Sequence, residues 1–237
     1  MKILTWNILA SEWIDDETYH MVKKEILQNN KNRFNRIFQY IRTQDASLIL
    51  LQEVMPYEYK RLKILLQDNY AITPLCRIKW DKYKNNSGNV TLFKRTEFDD
   101  TYMNHIRLEF GIQTKCLYKN KTCLIYNIHF DDVSIRNRYA QLKSIMHVLL
   151  ETETCIIGGD FNHQYSKNTK FYRIPDYTIH NTMCSTYDIN RNINVDNILT
   201  KGFKIYDTIP CQTVQNNLEK TILKYGSDHI PITLNII

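Results

Sequence analysis

Glycine and proline are scarce, six and five among 237 residues. No stretch rich in Gly, Pro or Ser reads as a linker, and no internal repeat or low-complexity run interrupts the chain. One continuous domain over residues 1–237 is therefore expected. Runs of about 18 uninterrupted apolar residues are also missing, so no transmembrane helix and no membrane partner are expected. There is no secretory signal. The first apolar run begins at Ile3 and leads straight to Asn7, as if the chain starts inside its fold without a leader. The six cysteines (Cys76, Cys116, Cys123, Cys155, Cys184 and Cys211) show no CxxC spacing. Several sit in apolar runs such as Thr122-Cys123-Leu124-Ile125, where they read as small core residues. An intracellular, reducing compartment, cytoplasmic or nuclear, is the expectation. Neither sign of charge dominates: 31 Lys+Arg against 25 Asp+Glu gives +6. That balance suits a polyanionic partner without demanding one, and nothing points to an obligate protein partner.

Hydrophobic periodicity supplies the elements. Lys2 to Trp6 and Ser47 to Leu51 read as buried strands, and Phe34, Ile37, Phe38 and Ile41 mark an amphipathic helix. Pro56 suits the first turn of a helix carrying Leu62, Leu65 and Leu66. Asn89 to Phe93 and Thr122 to Phe130 are strand-like. Arg138 to Leu150 is a second amphipathic helix, and Cys155 to Gly158 is a strand stopped by two glycines. Val195 to Leu199, Phe203 to Tyr206 and Ile232 to Ile236 complete a strand-rich second half. Several neighbouring strands have no helix between them. This predicts an α/β fold of two packed mixed sheets with helices outside, rather than a purely parallel doubly wound sheet.

Four separated pieces end in polar residues where an apolar strand stops: Thr5-Trp6-Asn7, Leu51-Gln52-Glu53, Gly158-Gly159-Asp160-Phe161-Asn162 and Ser227-Asp228-His229. Together they make the inventory of a single magnesium site that handles a phosphate. Mg²⁺ keeps much of its water and needs one or two carboxylates; Glu53 is the principal candidate, with Asn7 and Asp228 completing its surroundings and Mn²⁺ as a substitute ion. Asp160 can hold and polarise a water, and Asn162, two residues on and facing the same side of an extended segment, can donate to charge growing on phosphate oxygens. His229 can bind a nonbridging oxygen or move a proton near neutral pH, provided a carboxylate orients its other nitrogen. Asp196 interrupts an apolar strand and could be that carboxylate. His129 alternates inward with Asn127 on one strand face.

In combination these motifs resemble the endonuclease/exonuclease/phosphatase superfamily with its deoxyribonuclease I-like fold, from Thr5 to Pro231. The resemblance implies a four-layered α/β sandwich and in-line attack by water. It implies that Asn7 contacts metal water or phosphate, that Gln52-Glu53 is the metal motif, and that His129 binds the scissile phosphate. Gly159-Asp160-Phe161-Asn162 matches the family's Gly-Asp-x-Asn, and Asp196 stands where a carboxylate orients the last histidine. The opening through Ala10, with Arg33 and Ile37, is similar to the deadenylase/nocturnin group. Pro56-Tyr57-Glu58-Tyr59 and Arg138-x-x-Gln141-Leu142 are similar to 5′-tyrosyl-DNA phosphodiesterases. Thr186-Tyr187-Asp188 fits either branch. Asn127-Ile128-His129-Phe130 departs from the Tyr-x-Pro-Asn pattern of abasic-site endonucleases.

The expected activity is Mg²⁺-dependent phosphodiester hydrolysis in nucleic acid, single-stranded or at a terminus. Asn127, Arg138, Trp80 and Tyr172 are candidate substrate contacts, the last two within segments mixing bases and aromatics. The rival expectations are hydrolysis of a small phosphorylated molecule such as an inositol phosphate, and non-catalytic nucleic-acid binding on the same fold.

Overall fold

The computed structural model describes residues 1–78, 86–163, 174, 176–180, 194–209 and 217–237. In chain order the elements are β1 (Lys2–Asn7), α1 (Lys24–Leu27), α2 (Asn30–Gln44), β2 (Leu48–Val54), α3 (Pro56–Leu66), β3 (Tyr70–Ile72), β4 (Cys76–Arg77), β5 (Gly88–Lys94), β6 (Asn104–Leu108), β7 (Gly111–Tyr118), β8 (Lys121–His129), α4 (Ile135–Glu151), β9 (Cys155–Asp160), β10 (Thr178–His180), β11 (Asp196–Lys201), β12 (Ile205–Ile209), α5 (Leu218–Tyr225) and β13 (Ile232–Ile236). Among the described residues these form a seven-stranded sheet, β12-β13-β1-β2-β5-β3 with β4 beside β5, and a six-stranded sheet, β10-β11-β9-β8-β7-β6. At the centre of each sheet lies one parallel pair, β1 with β2 and β8 with β9.

Alternation along each strand sorts side chains between two environments. Ile3, Leu48 and Leu50 enter the layer between the sheets with Cys123, Ile125 and Ile156. Leu4, Trp6, Ile49 and Leu51 instead pack beneath Phe34, Ile37, Ile41 and Leu62 of α2 and α3. On the far side Tyr126, Ile128, Cys155 and Ile157 meet Leu142, Ile145 and Leu149 of α4. The result is four layers, helices outside and sheets within. Each such aliphatic side chain contributes roughly 1.5–3 kcal/mol on burial. Cys76, Cys116, Cys123 and Cys155 are buried free thiols, as their apolar settings imply.

One strand boundary is corrected. β9 does not stop at Gly158 but runs on through both glycines to Asp160. Gly158 serves the contact between sheets, because a Cβ there would collide with Leu50 Cδ1 of the facing sheet. The hairpin of β6 and β7 and the helix α5 were not anticipated. β6 faces solvent along most of its length, so it lacks an apolar run. The positive φ of Lys119 and Asn120 forms the turn from β7 into β8 without glycine.

Towards the ends of the parallel pairs the inter-sheet layer turns polar. Gln52 Nε2 donates to Asn127 Oδ1 at 2.8 Å, and Asn127 Nδ2 donates to Leu51 O at 3.1 Å and Val90 O at 3.0 Å. This buried bridge joins the sheets just below the strand ends.

Candidate active site

Strand direction gathers the polar residues at one edge. The parallel register of β8 and β9 sets His129 beside Asp160, and antiparallel β11 sets Asp196 on the other side of Asp160. The three form a row across three strands of one sheet. In the facing sheet Asn7 pairs with Gln52 at the ends of β1 and β2. Because β13 is antiparallel to β1, the residues just before it return to that same edge. Ser227 Oγ donates to Asn7 O at 2.7 Å, and Trp6 Nε1 donates to His229 O at 3.0 Å, so the final loop is pinned to β1.

Glu53, His129, Asp160, Asn162, Asp228 and His229 line one cleft of about 330 Å³. Its wall also carries Leu9, Trp13, Tyr19 and Asp132. Three of these residues, Leu9, Glu53 and Asn162, have φ of 57°, 59° and 48°. Such left-handed conformations are costly outside glycine and collect at functional sites. Glu53 lies where the β2–β5 register shifts between Leu51 and Val54, and this bulge aims its carboxylate into the cleft.

Hydrogen bonds lock the groups to one another. Asn7 Nδ2 donates to Glu53 Oε1 at 2.8 Å and to Asp160 Oδ2 at 3.1 Å, while its Oδ1 accepts from Leu9 N at 3.1 Å. Ala10 N donates to Glu53 Oε2 at 2.9 Å. Asp196 Oδ2 lies 2.7 Å from His229 Nδ1, whose Nε2 is 3.8 Å from Asp160 Oδ2. His129 Nε2 is 3.7 Å from Asp160 Oδ2 and 4.0 Å from Glu53 Oε1. Tyr19 Oη donates to Asp228 Oδ2 at 2.9 Å.

Burial and crowding set the charges. Burial first, then the negative charge of Asp228, push Glu53 up to about 7. Burial also holds His129 below the usual imidazole range against the pull of Asp160, so at neutral pH it is neutral. For His229 burial opposes the charge, but Asp196, Asp228 and Asp160 together outweigh it and hold the imidazole well above its usual range. The site therefore offers one neutral and one cationic histidine.

The divalent-ion expectation fits this donor set. Glu53 and Asp228 line the same cleft, and burial together with the charge of Asp228 raises the Glu53 carboxyl, a penalty on its charged form that a cation would relieve. Asp160, Asp196 and His229 also place ligand atoms within 4.8 Å of one another. An ion on those three would compete with the Asp196–His229 hydrogen bond, so the Glu53 and Asp228 side is the better match.

Several residues named from sequence occupy other places than expected. The amide of Asn7 clamps Glu53 and Asp160, so Asn7 stands beside the expected metal ligand and positions its carboxylate. Asn127 is fully buried and spends its amide on the bridge between sheets, too deep to touch a substrate. Arg138 Nη1 donates to the carbonyls of Asp131 at 2.8 Å and Asp132 at 3.1 Å, so it braces the loop that carries Asp132 into the cleft. Asn162 is not extended beside Asp160. Its N–H donates to Asp160 Oδ1 at 2.7 Å in an Asx turn, and its Nδ2 donates to Phe130 O at 2.8 Å. Trp80 and Tyr172, with the segments around them, and Thr186-Tyr187-Asp188 lie outside the described residues. Sequence reasoning missed Tyr19, which sits in a short turn without periodic pattern, and the positioning role of Arg33.

The chain belongs to the endonuclease/exonuclease/phosphatase family, whose model matches residues 4–229. Members of that family are phosphoester hydrolases. No curated protein sequence matches the chain. Three solved structures share the fold. ANGEL2, a 2′,3′-cyclic phosphatase, aligns with a TM-score of 0.75 at 16% identity, over 99% of this chain and 94% of that one. D. rerio TDP2 complexed with a single-strand DNA product aligns at 0.70 and 13%, over 100% and 98%. The Bacteroides thetaiotaomicron mannosyl-6-phosphatase aligns at 0.67 and 14%, over 100% and 99%.

Proposed function

We propose that this chain is a Mg²⁺-dependent phosphodiesterase that hydrolyses nucleic acid, single-stranded or at a terminus. The observation that carries the reading is the convergence on one cleft of a cationic histidine held by Asp196, the carboxylate of Asp160 within 3.8 Å of it, and the crowded carboxylates of Glu53 and Asp228. Hydrolysis forms a bond from water to phosphorus and breaks the bond to the leaving oxygen, which must gain a proton. Asp160 accepts a hydrogen bond from the attacking water and takes its proton. His229 donates from Nε2 to phosphate oxygen, stabilising charge that grows in the transition state; its imidazolium gives the leaving oxygen its proton and is recharged by the one Asp160 took, 3.8 Å away. Neutral His129, on the other flank of Asp160, offers a further hydrogen bond to the phosphate. Asn7 holds Glu53 and Asp160 at a fixed separation. Magnesium on Glu53, with Asp228 beside it, would neutralise phosphate charge.

The substrate class draws support from the +6 net charge and from the fold shared with TDP2 and its single-strand DNA product. The proposed compartment is intracellular; no helix among the described residues is long and apolar enough to cross a membrane. A second reading, hydrolysis of a small phosphorylated molecule, draws on the modest cleft and the likeness to a mannosyl-6-phosphatase.

The test is a cleavage panel in Mg²⁺: poly(A) RNA, single-stranded DNA, duplex DNA, a 5′-phosphotyrosyl oligonucleotide and sugar or inositol phosphates, with Glu53→Ala as control. Cleavage of a single-stranded or terminal substrate, lost in the variant, is expected. Turnover of small phosphates alone, with a salt-insensitive KM, overturns the nucleic-acid reading. Binding that survives EDTA without product overturns the enzyme reading.

A further inference from the structure

We propose that the outer face of α2 and α3 carries the strand of a nucleic-acid substrate beyond the scissile phosphate, an inference that rests on the nucleic-acid reading above. The two helices hold Lys31, Arg33, Arg36, Arg42, Lys60, Arg61 and Lys63 against one acid, Glu58. Arg33 and Glu58 are buried, so every charge on the exposed face is positive, set among polar side chains and the exposed Ile64 and Leu65. None of its six cations forms an ion pair among the described residues. An array of cations without close ion-pair partners on one face is an electrostatic footprint for a polyanion.

The face begins at the cleft. Arg33, one turn into α2, donates to the carbonyl of Leu9, which lines the cleft. α3 opens two residues after β2, the strand that carries Glu53. Both helices therefore start at the active-site edge and run away from it, and α2 alone spans about 22 Å. Asp45 caps the far end of α2, where it bonds Lys94, and at the near end the exposed Asp16 is paired with Lys24.

Part of the array is preset. The Arg61 guanidinium lies 4.3 Å from the centre of the Phe34 ring, and its Nη2 donates to Asn35 Oδ1 at 3.2 Å across the two helices. Lys63 lies over Tyr59 and Arg42 over Phe38. Stems packed on rings hold their charges outward at little entropic cost. At the cleft end Tyr57 presents an exposed ring on which a base can stack.

The experiment compares the full chain with two variants of equal charge change. One is Lys31→Gln/Arg36→Gln/Lys60→Gln/Lys63→Gln on this face. The other is Lys115→Gln/Lys119→Gln/Lys121→Gln/Lys143→Gln on the other sheet and α4. KM is measured against salt on an oligonucleotide of about 20 bases and on one of about three bases with the same scissile bond. The first variant is expected to raise KM for the long strand about tenfold, flatten its salt slope by roughly two to three, and leave the short substrate unchanged. The second is expected to resemble wild type. Equal effects of both variants, or no effect of the first, overturn the proposal. So does loss of binding to phosphatidylserine vesicles in the first variant with nucleic-acid kinetics unchanged. A wild-type protein that turns over only small phosphates overturns the nucleic-acid reading itself. A wild type that cleaves both oligonucleotides with one KM overturns this inference alone.

Discussion

Asp196 Oδ2 accepts a hydrogen bond from His229 Nδ1 across 2.7 Å, with both side chains buried. A carboxylate can only accept, so Nδ1 carries a proton here, and the imidazolium's second N–H, on Nε2, is turned towards Asp160. It also sustains the imidazolium against the penalty of burial. Asp196→Asn removes the charge but keeps the size. We expect kcat to fall roughly a hundredfold or more. If His229 works as the cation, activity declines as pH rises through its pKa; losing Asp196 lowers that pKa and moves the declining limb to lower pH. A pH–rate profile of the two proteins checks this, and an unmoved limb would remove His229 from the donor role.

Glu53 supplies the metal-linked prediction. Its folded pKa, about 7, stands above the ordinary carboxylate value. The sign follows: its contribution to stability is intact below about pH 4 and is lost as pH rises through about 7. Magnesium, by binding the ionised form, should restore what ionisation removes. In EDTA the melting temperature should fall from about pH 5 to pH 8, and Mg²⁺ should raise it more at the higher pH. Glu53→Gln should be flatter with pH and respond little to Mg²⁺. Chelation should abolish turnover without unfolding the chain.

Much of this site could be read from strand ends. A polar residue that terminates an apolar strand, as Asn7 and Asp160 do, marks an edge where side chains face a cleft rather than a core; Asp196, read as interrupting a strand, instead opens β11 at that edge. Sequence order could not show that Asp160 has His129 on one side and Asp196 on the other, since that comes from sheet register. Nor could it separate the inward polar residues by depth. Asn127 and His129 share a strand face, yet one step of two residues divides a buried bridge from a cleft wall. Asn162 misled because the extended geometry assumed for it gives way to a left-handed turn. Tyr19 and Arg33 act through backbone or carboxylate contacts over long sequence separation, for which no local pattern exists.

Arg33 should prove as sensitive as a catalytic group without touching the substrate. Its buried guanidinium donates to Gly226 O at 2.8 Å, Ile8 O at 3.1 Å and the carbonyl of Leu9. It thereby fastens the loop after β1 to the loop that leads into Asp228 and His229. Arg33→Met leaves those carbonyls unsatisfied and is expected to cost about 3–5 kcal/mol by urea denaturation. Arg33→Lys should recover part of the stability and part of kcat. Full activity in a stably folded Arg33→Met would show that the two loops hold their places without it.

Glu58 offers a pH dependence independent of the cleft. It is buried at the start of α3, where its Oε2 accepts from Met55 N at 2.9 Å and its Oε1 from Tyr57 Oη at 3.1 Å. Desolvation pushes its carboxyl up to about 7, although those hydrogen bonds and the charge of Arg33 pull the other way. A raised carboxylate pKa means that the folded state binds its proton more tightly than the unfolded chain. Stability from this group is therefore complete below about pH 4.5 and declines as pH climbs through 7, by up to about 3 kcal/mol. Glu58→Gln stays neutral, so it should match wild type near pH 5 and exceed it at pH 8. With Mg²⁺ held constant, the difference between the two urea-unfolding curves isolates this group from Glu53. If the variant is instead the less stable at pH 8, attraction to Arg33 outweighs desolvation, and the buried charge of Glu58 is a net support of the fold.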